Sequence, residues 1–304
     1  MTRELPFVTL DVFAKEPFKG NPLAVVTIPR GTDPKPSQAE KQKIAREFNL
    51  SETVFVHENA QDADAKQREI DIFLPTQEIP FAGHPTVGTA VSLLSLGVTT
   101  LVTKAGPIAI TQPTTGTVQA GIPHKTHLHG AHLRDIPSFA PGELSDVPEI
   151  REAELNAPIF NIVDGMTFIL IELPSLELLS KVVLSPANWP HEKILDSGFK
   201  PGFIGRYYYV RLAEEPGKFV IRSRMMEGSF EDPATGSAAC CLSAFLSLNK
   251  SKDQTSTVTY EITQGVEMGR DSHILVEVST KGSEIDTVSL AGTAMQIMRG
   301  YVSY

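Results

Sequence analysis

Two short segments carry residue types from which an active site can be built. Ala82-Gly83-His84 and Thr235-Gly236-Ser237 each stand at the head of a run without a charged residue, Pro85 to Gly97 and Ser237 to Asn249. A helix N-terminus presents N–H groups with no intrahelical partner and carries partial positive charge. Gly83 and Gly236 let a ligand approach the backbone closely. Two such ends converging on one cleft would bind a carboxylate through backbone N–H groups, with His84 and Ser237 adding side-chain bonds. Taken singly, each turn also reads as an ordinary cap of a core helix. The matched pair is what favours a site.

Two carboxylates could move protons. Glu52 lies between the end of one amphipathic segment and the apolar run Thr53-Val54-Phe55-Val56. Pressed against Val54 and Phe55, its carboxylate would lose hydration and its pKa would rise, which suits proton transfer near neutral pH. In isolation the same residue also fits a surface loop. Asp232 precedes Pro233 in the second turn. It could accept a ring N–H from His84, anchor a substrate amine or hydroxyl, or simply start an Asp-Pro turn.

These side chains need a scaffold to position them. Phe7 to Phe13 and Pro22 to Ile28 read as strands about a Gly20-Asn21 turn. Ser37 to Phe48 reads as a helix with a Ser37/Glu40 capping box. Thr53 to Val56 and Glu69 to Leu74 read as further strands, the second by its alternation. Pro85 then suits the first helical position with His84 as N-cap, and Gly97 ends the helix. An uncharged helix of this length must be surrounded by protein. The plan recurs in the second half: strands, a glycine-containing turn, an uncharged helix, more strands. Short turns and an excess of strands predict mainly antiparallel sheets, so the fold class is α+β, with one barrel-like sheet wrapped around a buried helix in each half. The domains are expected at 1–123, completed by a last strand at about 292–304, and at 124–291.

Composition excludes several classes. The chain has 304 residues, 41% hydrophobic and 21% charged, with a net charge of −9. It has no basic run for a phosphate backbone, so no nucleic-acid partner is expected. No apolar stretch reaches the length that spans a bilayer, and no secretory signal is visible. The two cysteines, Cys240 and Cys241, are adjacent and read as core residues, so a reduced, cytoplasmic setting is expected. Neither a dinucleotide glycine fingerprint nor a P-loop lysine occurs. His124, His127, His129 and His132 cluster in the Pro-, His- and Gly-rich segment 123–158, with no Cys or Glu ligand set beside them, so no metal is expected.

The set of segments resembles the phenazine-biosynthesis PhzF-like family, within the diaminopimelate epimerase-like superfamily. The resemblance is carried by Asp11-Val12-Phe13 with Gly20-Asn21-Pro22-Leu23-Ala24-Val25, and by Ala45-Arg46-Glu47-Phe48-Asn49-Leu50-Ser51-Glu52. It continues through Pro80-Phe81-Ala82-Gly83-His84-Pro85, Glu231-Asp232-Pro233-Ala234-Thr235-Gly236-Ser237-Ala238-Ala239, and Gln264-Gly265 with Met268-Gly269-Arg270. It implies two similar barrel domains with the site between them and a cofactor-free, usually dimeric isomerase acting on a small carboxylic acid. It places the proton-shuttling glutamate on Glu52 and the other active-site side chains on His84, Asp232 and Ser237. Gly83, Thr235, Gly236, Asn21 and Ser51 complete the candidate substrate-binding set. One departure from the wider superfamily bears on mechanism. Racemases and epimerases of this kind carry a thiol at each helix entrance, whereas Ala82 and Ala234 stand here. Relocation of a proton by one base is therefore expected over two-thiol racemisation.

Overall fold

The computed structural model describes residues 3–58, 66–186, 189, 191–199, 202–249 and 256–304. The chain divides into two units, residues 1–122 with 290–304, and residues 123–289. In the first, β1 (Glu4–Val12) pairs antiparallel with β2 (Asn21–Ile28). Helix α1 (Gln38–Phe48) then crosses to β3 (Thr53–His57), which lies parallel to β2. Ser37 and Glu40 form the capping box at its start, and Asn49 ends it in the left-handed region. β4 (Gln67–Phe73) returns antiparallel to β3 and is followed by the short β5 (Glu78–Ile79). Helix α2 (Gly83–Leu93) crosses to β6 (Thr100–Thr103), parallel to β4. β7 (Gly106–Thr114) and β8 (Thr117–Gly121) complete this run as antiparallel neighbours.

The second unit repeats the order. β9 (His127–Leu128) and α3 (Pro148–Asn156) lead to β10 (Ile159–Val163), antiparallel to β11 (Met166–Glu172). A crossover containing α4 (Leu176–Ser180) and α5 (His191–Ile194) reaches β12 (Phe203–Glu215), parallel to β11. β13 (Lys218–Glu227) is antiparallel to β12, and β14 (Phe230–Asp232) turns into α6 (Gly236–Leu248). α6 crosses to β15 (Ser256–Gln264), parallel to β13, and β16 (Ser272–Lys281) pairs antiparallel with β15. After β17 (Glu284–Gly292) the chain returns to the first unit as β18 (Ala294–Ser303), which pairs antiparallel with β1.

Each half is thus α+β and mainly antiparallel, but with two parallel pairings made by helical crossovers. Those parallel pairs were not expected from the sequence. They arise because a strand that feeds a helix spanning the sheet must come back in its own direction. α3, which the sequence reading did not mark, starts with Pro148 at its first turn and buries only Ile150 and Glu154, too short a stripe to show a helical period.

The central helices are buried on nearly every side. In α2 nine of eleven residues are buried, and it packs against β1, β2, β3, β8 and β18. Closest approach occurs at Gly88, where a Cβ would lie 2.5 Å from Val12 Cγ2 and 2.6 Å from Leu23 Cδ2. Helix propensity alone would favour a larger residue there; packing forbids it. Gly88→Val is expected to lower stability by about 2–3 kcal/mol through overpacking, read as a shift of the urea midpoint with unchanged slope. Among the described residues no helix is long and apolar enough to cross a membrane.

Candidate active site

Three chain segments meet at one end of the first unit. β2 and β3 are parallel, and Ala24 stands opposite Thr53. Asn21, at the start of β2, is thereby brought beside Ser51, which donates to Asn21 Oδ1 at 3.4 Å. Thr53 stands opposite Phe73 at the end of antiparallel β4, so the chain leaving β4 delivers the start of α2 to the same place. There His84 Nδ1 lies 3.4 Å from Glu52 Oε2.

Burial decides the chemistry of this group. The Glu52 side chain is 14% exposed and that of His84 is 5% exposed. Loss of hydration pushes the Glu52 carboxyl from the usual carboxylate range up to about 7, against a smaller downward pull from its bond with Ser51. A carboxyl poised there exchanges a proton in either direction near neutrality. The structure thus sets Glu52 beside His84, and Ser51 beside Asn21.

One local detail differs. His84 is not the N-cap. The helix starts two residues earlier, with Ala82 as N-cap in extended conformation (φ −151°, ψ 147°), Gly83 first, His84 second and Pro85 third. Pro85 is tolerated so far inside because the first-turn N–H groups have no intrahelical acceptor, so a missing one costs no bond. The shift leaves Gly83 and His84 N–H groups at the tip, with no side-chain cap from Ala82.

The second unit builds its entrance differently. Thr235 is the N-cap of α6, Gly236 and Ser237 open it, and Thr235 likewise gives no side-chain cap bond. Its hydroxyl instead donates to Asp232 Oδ2 and accepts from Gln264 Nε2 at 3.0 Å. Gln264 Nε2 also donates to the Asp232 carbonyl at 2.7 Å, and Gln264 Oε1 accepts from the Thr235 N–H at 3.3 Å and from the Tyr207 hydroxyl at 3.2 Å. Tyr207 is bonded in turn to Ser223 at 2.9 Å. Gly265 follows at φ +77°, where a Cβ would lie 2.5 Å from the Pro233 carbonyl oxygen, so only glycine lets β15 end this close to the turn. The turn is thus clamped from 29 residues away, and Ser237 alone of its residues from Asp232 to Ser237 is only half-buried.

Gln264 is the positioning residue that the sequence reading missed, having used Gln264-Gly265 only as a point of resemblance. A signal was present. Val258, Tyr260 and Ile262 are the inward positions of β15, and Gln264 continues that alternation as a fully buried amide. Gln264→Leu leaves the Thr235 N–H, the Asp232 carbonyl and the Tyr207 hydroxyl to find new partners. We expect a stability loss of about 2–4 kcal/mol and a lowered kcat at saturating substrate, measured by denaturant unfolding and steady-state kinetics.

The thiols stand apart from this chemistry. Cys240 and Cys241 are fully buried in α6, and burial holds both thiols protonated far above the usual thiol range. Ala82 and Ala234, at the two entrances, are buried. The histidine segment gains a carboxylate that is remote in sequence. His127 Nε2 lies 2.7 Å from Asp196 Oδ2, and these atoms and a nitrogen of His129 fall within 4.8 Å of one another. Yet His129 Nδ1 accepts the Asp196 N–H at 3.0 Å, and Gly130 N–H occupies Asp196 Oδ1 at 3.1 Å. With these acceptors engaged, the trio reads as a tie between β9 and the chain after α5.

The relatives of this chain make it an isomerase. The profile described as phenazine biosynthesis-like protein matches residues 10–300, and the chain belongs to that family. A trans-2,3-dihydro-3-hydroxyanthranilate isomerase of Pseudomonas fluorescens is 32% identical, over 97% of this chain and 98% of that protein. An uncharacterized isomerase of Mesorhizobium japonicum is 30% identical over 97% of each. The crystal structure of a PhzF-family phenazine biosynthesis protein from Bacillus anthracis has the same fold, with a TM-score of 0.73 at 20% identity over 99% of both chains.

Proposed function

We propose that the protein relocates a proton within a small carboxylic acid, and that Glu52 is the single base that removes the proton and returns it. The observation that carries this is the buried Glu52 carboxyl held at about 7 and set 3.4 Å from His84 Nδ1. The ionised carboxylate takes the proton of an activated C–H bond. The resulting conjugated carbanion keeps its electron pair, and neutral Glu52 protonates another carbon of it, so the carboxylate is restored and atoms and charge balance. His84 stabilises the charge that builds up. The first-turn N–H groups of α2 are the donors for the substrate carboxylate. Asn21 and Ser51 bracket the base. A base that collects and delivers on one face moves a proton without inverting a centre.

A second reading is epimerisation, using Glu52 with a second acid such as Asp232. It is favoured by the presence of a buried carboxylate, oriented by Thr235, at the second entrance. Turnover in deuterated water separates the two. The test acid is trans-2,3-dihydro-3-hydroxyanthranilate, after the Pseudomonas relative, within a panel of cyclohexadiene and amino acids. Relocation shifts the double bonds, and deuterium enters the new C–H position only to the extent that Glu52 exchanges its proton with solvent between the two transfers. Product with the same connectivity and one centre inverted would establish the epimerase instead, and no conversion of any acid would overturn both.

A further inference from the structure

We propose that the second unit carries a separate binding site, on the opposite face of its sheet from the α6 entrance, for a small planar organic anion. A cavity of about 500 Å³ opens there between β12, the turn from β13 to β14, and the segment around α5. That volume lies within the range of small-molecule sites. Its walls include Trp189, Phe203, Arg206, Met226 and Phe230, with Glu227 at the rim.

Strand alternation separates this cavity from the candidate active site. Along β12, successive side chains point to opposite faces. Tyr207 reaches Gln264 and Ser223, the network that clamps the start of α6. Its neighbours point the other way: Tyr208 donates to Glu154 of α3 at 2.6 Å, and Arg206 donates to the Ser185 carbonyl at 3.1 Å. A ligand beside Arg206 is therefore on the far side of the sheet from Ser237.

Two donors in the wall point to the ligand's chemistry. Arg206 is 4% exposed, and its link to a carboxylate is indirect, through the Tyr208 hydroxyl to Glu154. Its guanidinium has five N–H donors, and the bonds it makes go to the Tyr208 hydroxyl, at 3.4 Å, and to Ser185. Trp189 is 7% exposed, and among the described residues its indole Nε1 has no hydrogen-bond partner. A buried guanidinium whose carboxylate is reached only through a hydroxyl keeps donor capacity for an anion. An anionic ligand in the cavity would take a direct charge-assisted bond from Arg206. Arg206 already lies 5.6 Å from the Trp189 ring centroid, and Phe203, Met226 and Phe230 add apolar walls suited to a flat ring.

Trp189 is the only tryptophan of the chain, so its fluorescence reports on this cavity alone. The probe is benzoate, with benzamide as the uncharged isostere. Benzoate is expected to give a saturable change that benzamide matches only at about tenfold higher concentration. Arg206→Gln should weaken benzoate by at least about tenfold, and Phe230→Ala, at the exposed rim, by several-fold. Ser237→Ala, in the α6 entrance, should leave the titration unchanged. If Arg206→Gln does not fold, as judged by circular dichroism, the benzamide comparison and Phe230→Ala decide. No saturable response up to about 10 mM overturns the proposal. So does equal binding of benzamide, or a response that is lost in Ser237→Ala and kept in Phe230→Ala.

Discussion

Replacing Glu52 with glutamine lowers kcat/KM by about 10⁴-fold and leaves substrate affinity within several-fold of wild type. A positioned general acid–base typically contributes 10²–10⁴-fold, and one group serving as base and then as acid takes the upper end. Glutamine keeps the size of the side chain and one oxygen, so the pocket beside His84 and Ser51 stays filled and binding persists. Calorimetric titration with the substrate carboxylic acid, set beside steady-state rates, separates the two quantities. Activity within tenfold of wild type would remove Glu52 from the mechanism. The wild-type pH profile carries the same assignment. The base must be ionised in the free enzyme, so kcat/KM rises with pH and levels off above about 7, the position to which burial moves this carboxyl.

The same substitution stabilises the protein, and the effect depends on pH. Burial raises the Glu52 pKa from 4.5 to about 7, so between those values the folded chain binds the proton more tightly than the unfolded chain. Stability contributed by the neutral carboxyl is complete below about 4.5 and is lost as pH rises through about 7, after which the loss is constant. One pKa unit corresponds to about 1.4 kcal/mol, which bounds the loss at about 3.5 kcal/mol. Glu52→Gln removes the charge, so its stability advantage should be near zero at pH 4.5 and grow to about 2–3 kcal/mol at pH 8. Denaturant unfolding of both proteins across that range measures it. A difference independent of pH would mean that the carboxyl titrates alike in the folded and unfolded chains, and would refute the burial account. Together the two results would mark Glu52 as a group kept at a cost in stability for its chemistry.

Much of this was legible in the sequence because it rests on local rules. The Ser37/Glu40 capping box, the alternation in Glu69 to Leu74, and the two uncharged runs that must be buried are each decided within a few residues. The repeat of strands, turn and uncharged helix declared two similar halves, and Ala82 and Ala234 removed thiols from the entrances. Helix tips were less legible. Nothing in Ala82-Gly83-His84-Pro85 distinguishes a helix beginning at Gly83 from one beginning at Pro85, because the first-turn N–H groups are unbonded in both cases.

What the sequence by itself determined is therefore the inventory: two glycine-containing helix entrances, two candidate carboxylates, and no entrance thiol. Only the tertiary structure decided how that inventory behaves. The parallel register of β2 and β3 brings Asn21 to Ser51, the start of α2 puts His84 beside Glu52, and burial there raises the Glu52 pKa. Gln264 clamps a turn 29 residues before it. Asp196 joins His127 across 69 residues. Desolvation and hydrogen bonding depend on neighbours that are distant in the chain, and no local pattern of residue types encodes those neighbours.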